Sequence, residues 1–257
     1  MERIGENKPR GITSAALRTW GLLFLAAGIF SQGILQNRVL GMQNASGDLL
    51  ALLNQDPSLM TAATAALILQ FLEGCAVPIF ALLLVEGFCR TKDWTKYMTR
   101  VAIAAAVSEI PFDLAMTGKV LDLGSQNPGF AMVLGLLMLF LFRRFSEKSG
   151  THRLIKALVV LAALMWAEML QIQHGAAFVI MIGFFWLLRN KPQLRGLLGA
   201  GVCLCCTMIS PYYLVAPMGC LMVHLHNREY GNSNRTANYC LYPAMLLVIW
   251  AAATFAF

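Results

Sequence analysis

Charge is scarce in this chain. Only 13% of its 257 residues are Asp, Glu, Lys or Arg, while 58% are hydrophobic. A soluble domain is nearer a quarter charged, so a solvated globule is excluded first. No polar appendage is present either. The longest polar stretches are the first dozen residues and loops of roughly ten to twenty residues. The chain also lacks a phosphate-binding glycine loop, a serine-elbow motif and a zinc-protease motif. Of its seven cysteines, Cys203, Cys205 and Cys206 cluster, but with no partner pair and no histidine at zinc-ligand spacing. They read as small apolar side chains in a helix, and no metal is expected.

The net charge of +7 does not imply nucleic acid. The basic residues form short clusters between apolar runs rather than one soluble basic face. What remains is hydrophobic length. A membrane-crossing helix needs about 20 mostly apolar residues. The apolar runs predict helices over 17–36, 60–88, 98–117, 128–145, 154–171, 174–189, 195–209, 211–226 and 239–257. The fold class is therefore all-α, a single polytopic membrane domain over 1–257 with about eight or nine transmembrane helices. Its partner is the lipid bilayer.

Two details qualify the count. Pro78 is expected to kink the second helix. Gly196 to Asn227 contains no Asp, Glu, Lys or Arg. As one helix it would be about 48 Å long, too long for one crossing, so Ser210–Pro211 predicts a turn between two short spans. A single kinked or re-entrant element is the alternative. With the amino terminus in the cytoplasm, eighteen of the twenty basic residues fall on the inner side, and only Arg38 and Lys119 fall outside. That bias is what the positive-inside rule expects. The basic leader before the first apolar run has no convincing cleavage site, so that run is read as a retained span.

Ionisable residues inside spans cost free energy and are functional candidates by default. Here they are Glu73, Glu86, Glu109, Asp113, Glu168, His174 and His224, with His226 at a helix end. Glu109 and Asp113 are four apart and share a helix face. Pro111 lies between them. Such a pair can do acid/base work or bind a cation. Equally, each can pair with a polar residue on a neighbouring helix and hold the bundle together. Glu86 and Arg90 stand in the favourable order for a helical ion pair, beside Thr91, Lys92, Lys96, Tyr97 and Arg100. This cluster can hold donor phosphates or simply anchor the inner face. Gln32, Gln36, Asn37, Gln126, Asn127, Glu168, Gln171, Gln173 and His174 fall at similar outer depth, and with Asp113 they can line an outward pocket. His174 is a candidate base there, or the cap of a tight helix turn.

VPIFALLLVEGFCRTKDWTKYMTR (Val77 to Arg100), SEIPFDLAMTG (Ser108 to Gly118) and QNPGFAMVLGLL (Gln126 to Leu137) resemble, in order and spacing, the TraX family of bacterial membrane proteins. TANYCLYPAMLLVI resembles the family's closing helix more loosely. The resemblance implies a membrane acyltransferase-like protein linked to acetylation of conjugative pilin. Such a protein takes an acetyl group from cytosolic acetyl-CoA to an envelope acceptor: a pilin amino terminus, a glycan or a lipid. It points to Glu86, Arg90, Thr91, Tyr97, Arg100, Glu109, Pro111, Asp113, Asn127, Tyr242 and Pro243. The candidate catalytic set is then Glu109, Asp113 and His174, and the candidate donor set is Glu86, Arg90, Lys92, Tyr97 and Arg100. Two positions depart from the family pattern. Its first-helix Asp-His pair is replaced at about Gly28 and Ile29, and its closing histidine by Met245 or Ala244. Losing one proton-transfer group typically costs ~10²–10⁴-fold in rate. Either other histidines such as His174 or His224 take over, or this branch is a non-catalytic scaffold or small-solute carrier.

Overall fold

A computed structural model describes residues 11–42, 56–145, 149–231 and 235–255. The basic leader residues Arg3, Lys8 and Arg10, together with Lys148, lie outside them. The described residues are helical and carry no strand, only two isolated bridges, Ile12 to His226 and Gln126 to Ile172. Helix α1 (Ser14–Phe30) starts at Thr13, whose hydroxyl accepts the Ala16 N–H, and runs on as a π-helix over Ser31–Val39. α2 is Pro57–Glu73, α3 Ala76–Arg90, α4 Trp94–Thr117 and α5 Gly129–Arg144. α6 is Gly150–Met169, α7 Gly175–Leu187, α8 Pro192–Cys205, α9 Pro217–His224 and α10 Arg235–Phe255.

Four stretches are long and apolar enough to cross a membrane: Ser14–Val39, Pro57–Arg90, Gly150–Met169 and Asn238–Phe255. α7 is apolar but shorter. Their surroundings divide the helices into two kinds. Eight of the thirteen α7 residues are buried, Phe178, Ile182 and Phe185 among them, and they pack on Leu82, Leu136 and Leu139 of α3 and α5. A helix apolar all round belongs in a core. α6 is the opposite case. It buries only Ala163 and Ala167 and exposes Leu154, Leu158, Leu161, Met165, Trp166 and Met169. An apolar surface this large does not face water. It has the character of a lipid-facing side.

The expected helix over 60–88 is present in two pieces, and the break falls one turn before Pro78. It lies at Gly74–Cys75, between α2 and α3. Pro78 falls in the first turn of α3 and has no N–H for the Gly74 carbonyl four residues back, so the helical ladder is interrupted there. The same point is a place of close approach. A Cβ on Gly74 would stand 2.6 Å from the Tyr212 carbonyl oxygen. Between Gly196 and Asn227 the chain does turn near Ser210–Pro211. α8 ends in a 3-10 turn over Cys206–Met208, a second 3-10 turn covers Pro211–Val215, and α9 returns antiparallel to α8.

Hydrogen bonds define the two ends of the bundle. At one end the start of α1 is strapped to the segment after α9. Ile12 N–H donates to Leu225 O, Asn227 N–H to Ile12 O, and Ser14 N–H to Glu229 O. At the other end the turn between α6 and α7 pairs with the segment before α5, through Gln126 N–H to Gln171 O and Gln173 N–H to Gln126 O. Gly74→Val should force α2 and the Tyr212 turn apart. A cost of about 1–3 kcal/mol is expected from overpacking, read as a lower Tm of the detergent-solubilised protein.

Candidate functional site

At the strapped end the chemistry centres on Glu86. Its carboxylate is buried, and three cationic or titratable groups converge on it. Arg195 Nη1 lies 3.3 Å from Oε1, His226 Nε2 3.1 Å from Oε2, and Arg90 Nη2 3.3 Å from Oε2. Arg195 also donates from Nε to Leu188 O at 3.1 Å and from Nη2 to Arg189 O, which caps the carbonyl end of α7. His226 Nδ1 lies 2.7 Å from Ile12 O, so the α1 strap closes on the same group. A cavity of about 420 Å³ opens beside this network, lined by Glu86, Gln193, Arg195, His224, His226 and Arg228.

The predicted donor residues do not gather around that cavity. Glu86 lines it, but Arg90 turns to Glu86, donates to Arg228 O at 2.9 Å and sits 5.0 Å over the Tyr230 ring. Tyr97 packs its hydroxyl against Gly87. Lys92 and Arg100 are exposed and do not line it. Lys96 pairs with Asp93 at 3.1 Å, and the Lys96 backbone N–H, followed by its side chain, holds the Asp93 carboxyl below its ordinary value.

Toward the other end lies a second buried carboxylate, Glu73, 1% exposed. His174 Nε2 stands 3.2 Å from its Oε1, an ion-pair distance at an angle that makes no hydrogen bond. The other ring nitrogen, Nδ1, is 2.7 Å from Tyr213 Oη. Gln173 Nε2 donates to Glu73 Oε1 at 3.3 Å and to Gln32 Oε1 at 3.2 Å. His174 is the residue before α7, with φ 58, but its side chain caps nothing. It accepts a left-handed backbone and turns its ring inward. Strain of that kind collects at functional sites. Gln70 Oε1, Gln173 Oε1 and His174 Nε2 are buried without a hydrogen bond among the described residues, as are Tyr242 Oη and Glu109 Oε1. Buried polar atoms are normally satisfied, so each of these atoms is open to a water or a ligand.

The sequence-predicted outer pocket divides in two. Asp113 lines a cavity of about 310 Å³ with Gln32, Gln36, Asn37, Asp122 and Ser125, and its Oδ2 accepts the Asp122 N–H at 2.9 Å. In the loop beyond, the Gly124 N–H holds the Asp122 carboxyl below its ordinary value. Gln173 and His174 belong to the Glu73 cluster, and Gln32 touches both. Glu168 is exposed and lines neither, and Gln126 and Gln171 contribute backbone pairing. Glu109 and Asp113 share their helix but part company. Glu109 Oε2 accepts the Asn127 N–H at 3.2 Å and the Asn127 side-chain amide, while Asn127 Nδ2 donates to Ala105 O at 2.9 Å and Oδ1 accepts the Gly129 N–H at 2.8 Å. This rivet ties the start of α5 to α4.

Sequence reasoning missed Arg195 and Tyr213 as site residues, and singled out Glu73 and His226 only as ionisable groups in or beside a span. Arg195 looks like any inner-face cation by charge bias, and its partner is 109 residues away. Tyr213 carries no local signal, because its role depends on a contact across 39 residues. A sequence profile described as TraX protein matches residues 50–252. No curated protein and no solved structure matches the chain.

Removing Glu86 should be far costlier than removing its half-exposed partner. Glu86→Ala leaves Arg195 buried without its carboxylate, for which about 3–5 kcal/mol is expected. Arg90→Ala should cost about 0–1 kcal/mol. Thermal unfolding of the two variants side by side checks the ranking.

Proposed function

The chain belongs to the TraX family, and from that premise we propose that it is a membrane acyltransferase moving an acetyl group from cytosolic acetyl-CoA to an envelope acceptor. The observation that carries this reading is the pair of polar sites at different depths of one apolar bundle, the Glu86 cavity and the Glu73–His174–Tyr213 cluster. α3 starts just after Glu73 and runs on to Glu86, and its ten-residue rise from Ala76 to Glu86 corresponds to ~15 Å of helix. In this reading the chain crosses the bacterial cytoplasmic membrane about eight or nine times, with α8 and α9 forming two short spans or one re-entrant element. The amino terminus is cytoplasmic, as the charge bias favours.

The strapped end then faces the cytosol. Arg228 and His224 at the cavity meet the donor's phosphates, with Lys92 and Arg100 adding attraction from the nearby surface. Arg195 stays locked on Glu86 and shapes the cavity wall. At the Glu73 cluster, neutral His174 donates from Nδ1 to Tyr213 Oη, which leaves the Nε2 lone pair available. Nε2 takes the proton from the acceptor's N–H or O–H as its lone pair attacks the thioester carbonyl. The C–S bond breaks, a C–N or C–O bond forms, and the thiolate leaves and is reprotonated. Glu73, close to Nε2, favours the imidazolium that forms. The first-helix departure from the family pattern fits this assignment. A side chain at Gly28 would collide with the Glu73 carboxylate, so a glycine there admits Glu73 to His174. Asp113 and its cavity provide an opening for the acceptor.

One observation favours the second reading, a non-catalytic scaffold or carrier. Glu86 is already surrounded by Arg90, Arg195 and His226, which suits a structural rivet. Purified protein with labelled acetyl-CoA separates the two. Transfer of label to an envelope fraction is expected, with His174→Ala lowering the rate ~10²–10⁴-fold at unchanged donor binding. Arg228→Ala should weaken donor binding roughly tenfold or more, the worth of a charge-assisted hydrogen bond. Neither binding nor transfer by the wild type would leave the scaffold reading standing.

A further inference from the structure

Three sulfur atoms meet where α7, α8 and α9 pack. Cys203 Sγ lies 3.5 Å from Cys220 Sγ and 3.8 Å from Met181 Sδ. Cys203 is 2% exposed, and Cys220 and Met181 are fully buried. The other cysteines are placed differently. Cys75 donates to Val215 O at 3.2 Å, while Cys89, Cys205 and Cys240 are exposed. Cys205, also on α8, is exposed, and Cys206 lies buried in the 3-10 turn that follows, while Cys203 meets a thiol on the antiparallel helix.

We propose that Cys203 and Cys220 are a modification site, oxidised to an intramolecular disulfide that cross-links α8 to α9. The sulfurs need to close from 3.5 Å to ~2.05 Å, within reach of side-chain rotation on two helices already in contact. The medium selects the oxidant. Both thiols sit in an apolar interior, where polar oxidants have no entry. A disulfide is neutral, so its formation leaves no charge in the core. A lipid-soluble quinone balances the step. Two S–H bonds break, one S–S bond forms, and two electrons and two protons reduce the quinone to the quinol. The cross-link would close the segment from 203 to 220, whose turn carries Tyr213 at 2.7 Å from His174. The chemistry of the pair stands apart from the acyl-transfer reading.

The test uses the full chain in lipid vesicles containing a quinone. Free thiols are blocked by alkylation, the protein is digested, and the peptides are mapped by mass spectrometry with and without reductant. A reducible Cys203–Cys220 peptide is expected, with Cys75 alkylated once the protein is unfolded. Recovery of both thiols in the free form, or a disulfide joining other cysteines, would overturn the proposal. In the same vesicles Cys220→Ser and Cys220→Ala should each abolish the linked peptide. Because wild-type mapping needs no variant, the result does not depend on how either variant folds.

Discussion

A carboxylate shielded from water must find its hydrogen-bond donors inside the protein, and the core of this bundle is organised around three of them. Glu86 is met by Arg195, His226 and Arg90, Glu109 by Asn127, and Glu73 by Gln173 with His174 beside it. Each set of partners comes from a different part of the chain. Satisfying them therefore brings α3 to α8 and the α1 strap, α4 to α5, and α2 to the turn before α7. Apolar side chains supply the packing, but non-directional contacts admit many helix arrangements. The polar groups admit few.

The three carboxylates are not satisfied equally, and the differences sort structure from chemistry. Glu86 has cations on both oxygens, which suits a rivet. Glu109 has one oxygen held and one unpartnered. Glu73 has only neutral amide donation and a histidine at a poor hydrogen-bonding angle. A buried carboxyl group held so lightly costs free energy that a purely structural residue does not need to spend. The interruptions of regular helix fall in the same region: the π-helical turns that carry Gln32, the Gly74–Cys75 break next to Glu73, and the 3-10 turn that carries Tyr213. Irregular backbone at membrane depth is tolerated where protein or a polar cavity receives it.

The helical class, the approximate helix positions and the need for a turn near Ser210–Pro211 are legible in the sequence. All follow from local hydropathy, length and proline chemistry. The family resemblance is legible too, because its motifs are contiguous. Site composition is less so. Depth along a helix correctly brings Gln32, Gln36, Asn37 and Asp113 to one cavity, since residues at the same level tend to meet. It wrongly includes Glu168, because depth does not specify which way a helix is turned. The same limit explains Lys92 and Arg100, which share a segment with Arg90 but not its direction. Pro78 signals the interruption one turn upstream, at Gly74–Cys75, because a proline leaves the carbonyl four residues before it without a donor. What the sequence does not signal is that Tyr212, 138 positions away, packs against Gly74 there.

Sequence alone determined that this chain is an all-helical member of a membrane family, because the hydrophobic requirement of a crossing is paid residue by residue along the chain. Tertiary structure alone decided which charged groups are partners. Arg195 with Glu86, Tyr213 with His174, and Cys203 with Cys220 are contacts between separate helices. Rotation of a helix by a quarter turn would undo each one without altering its hydropathy. Periodicity reports that a helix has a buried face. Which neighbour that face meets is set by the summed packing and hydrogen-bond requirements of all the helices together.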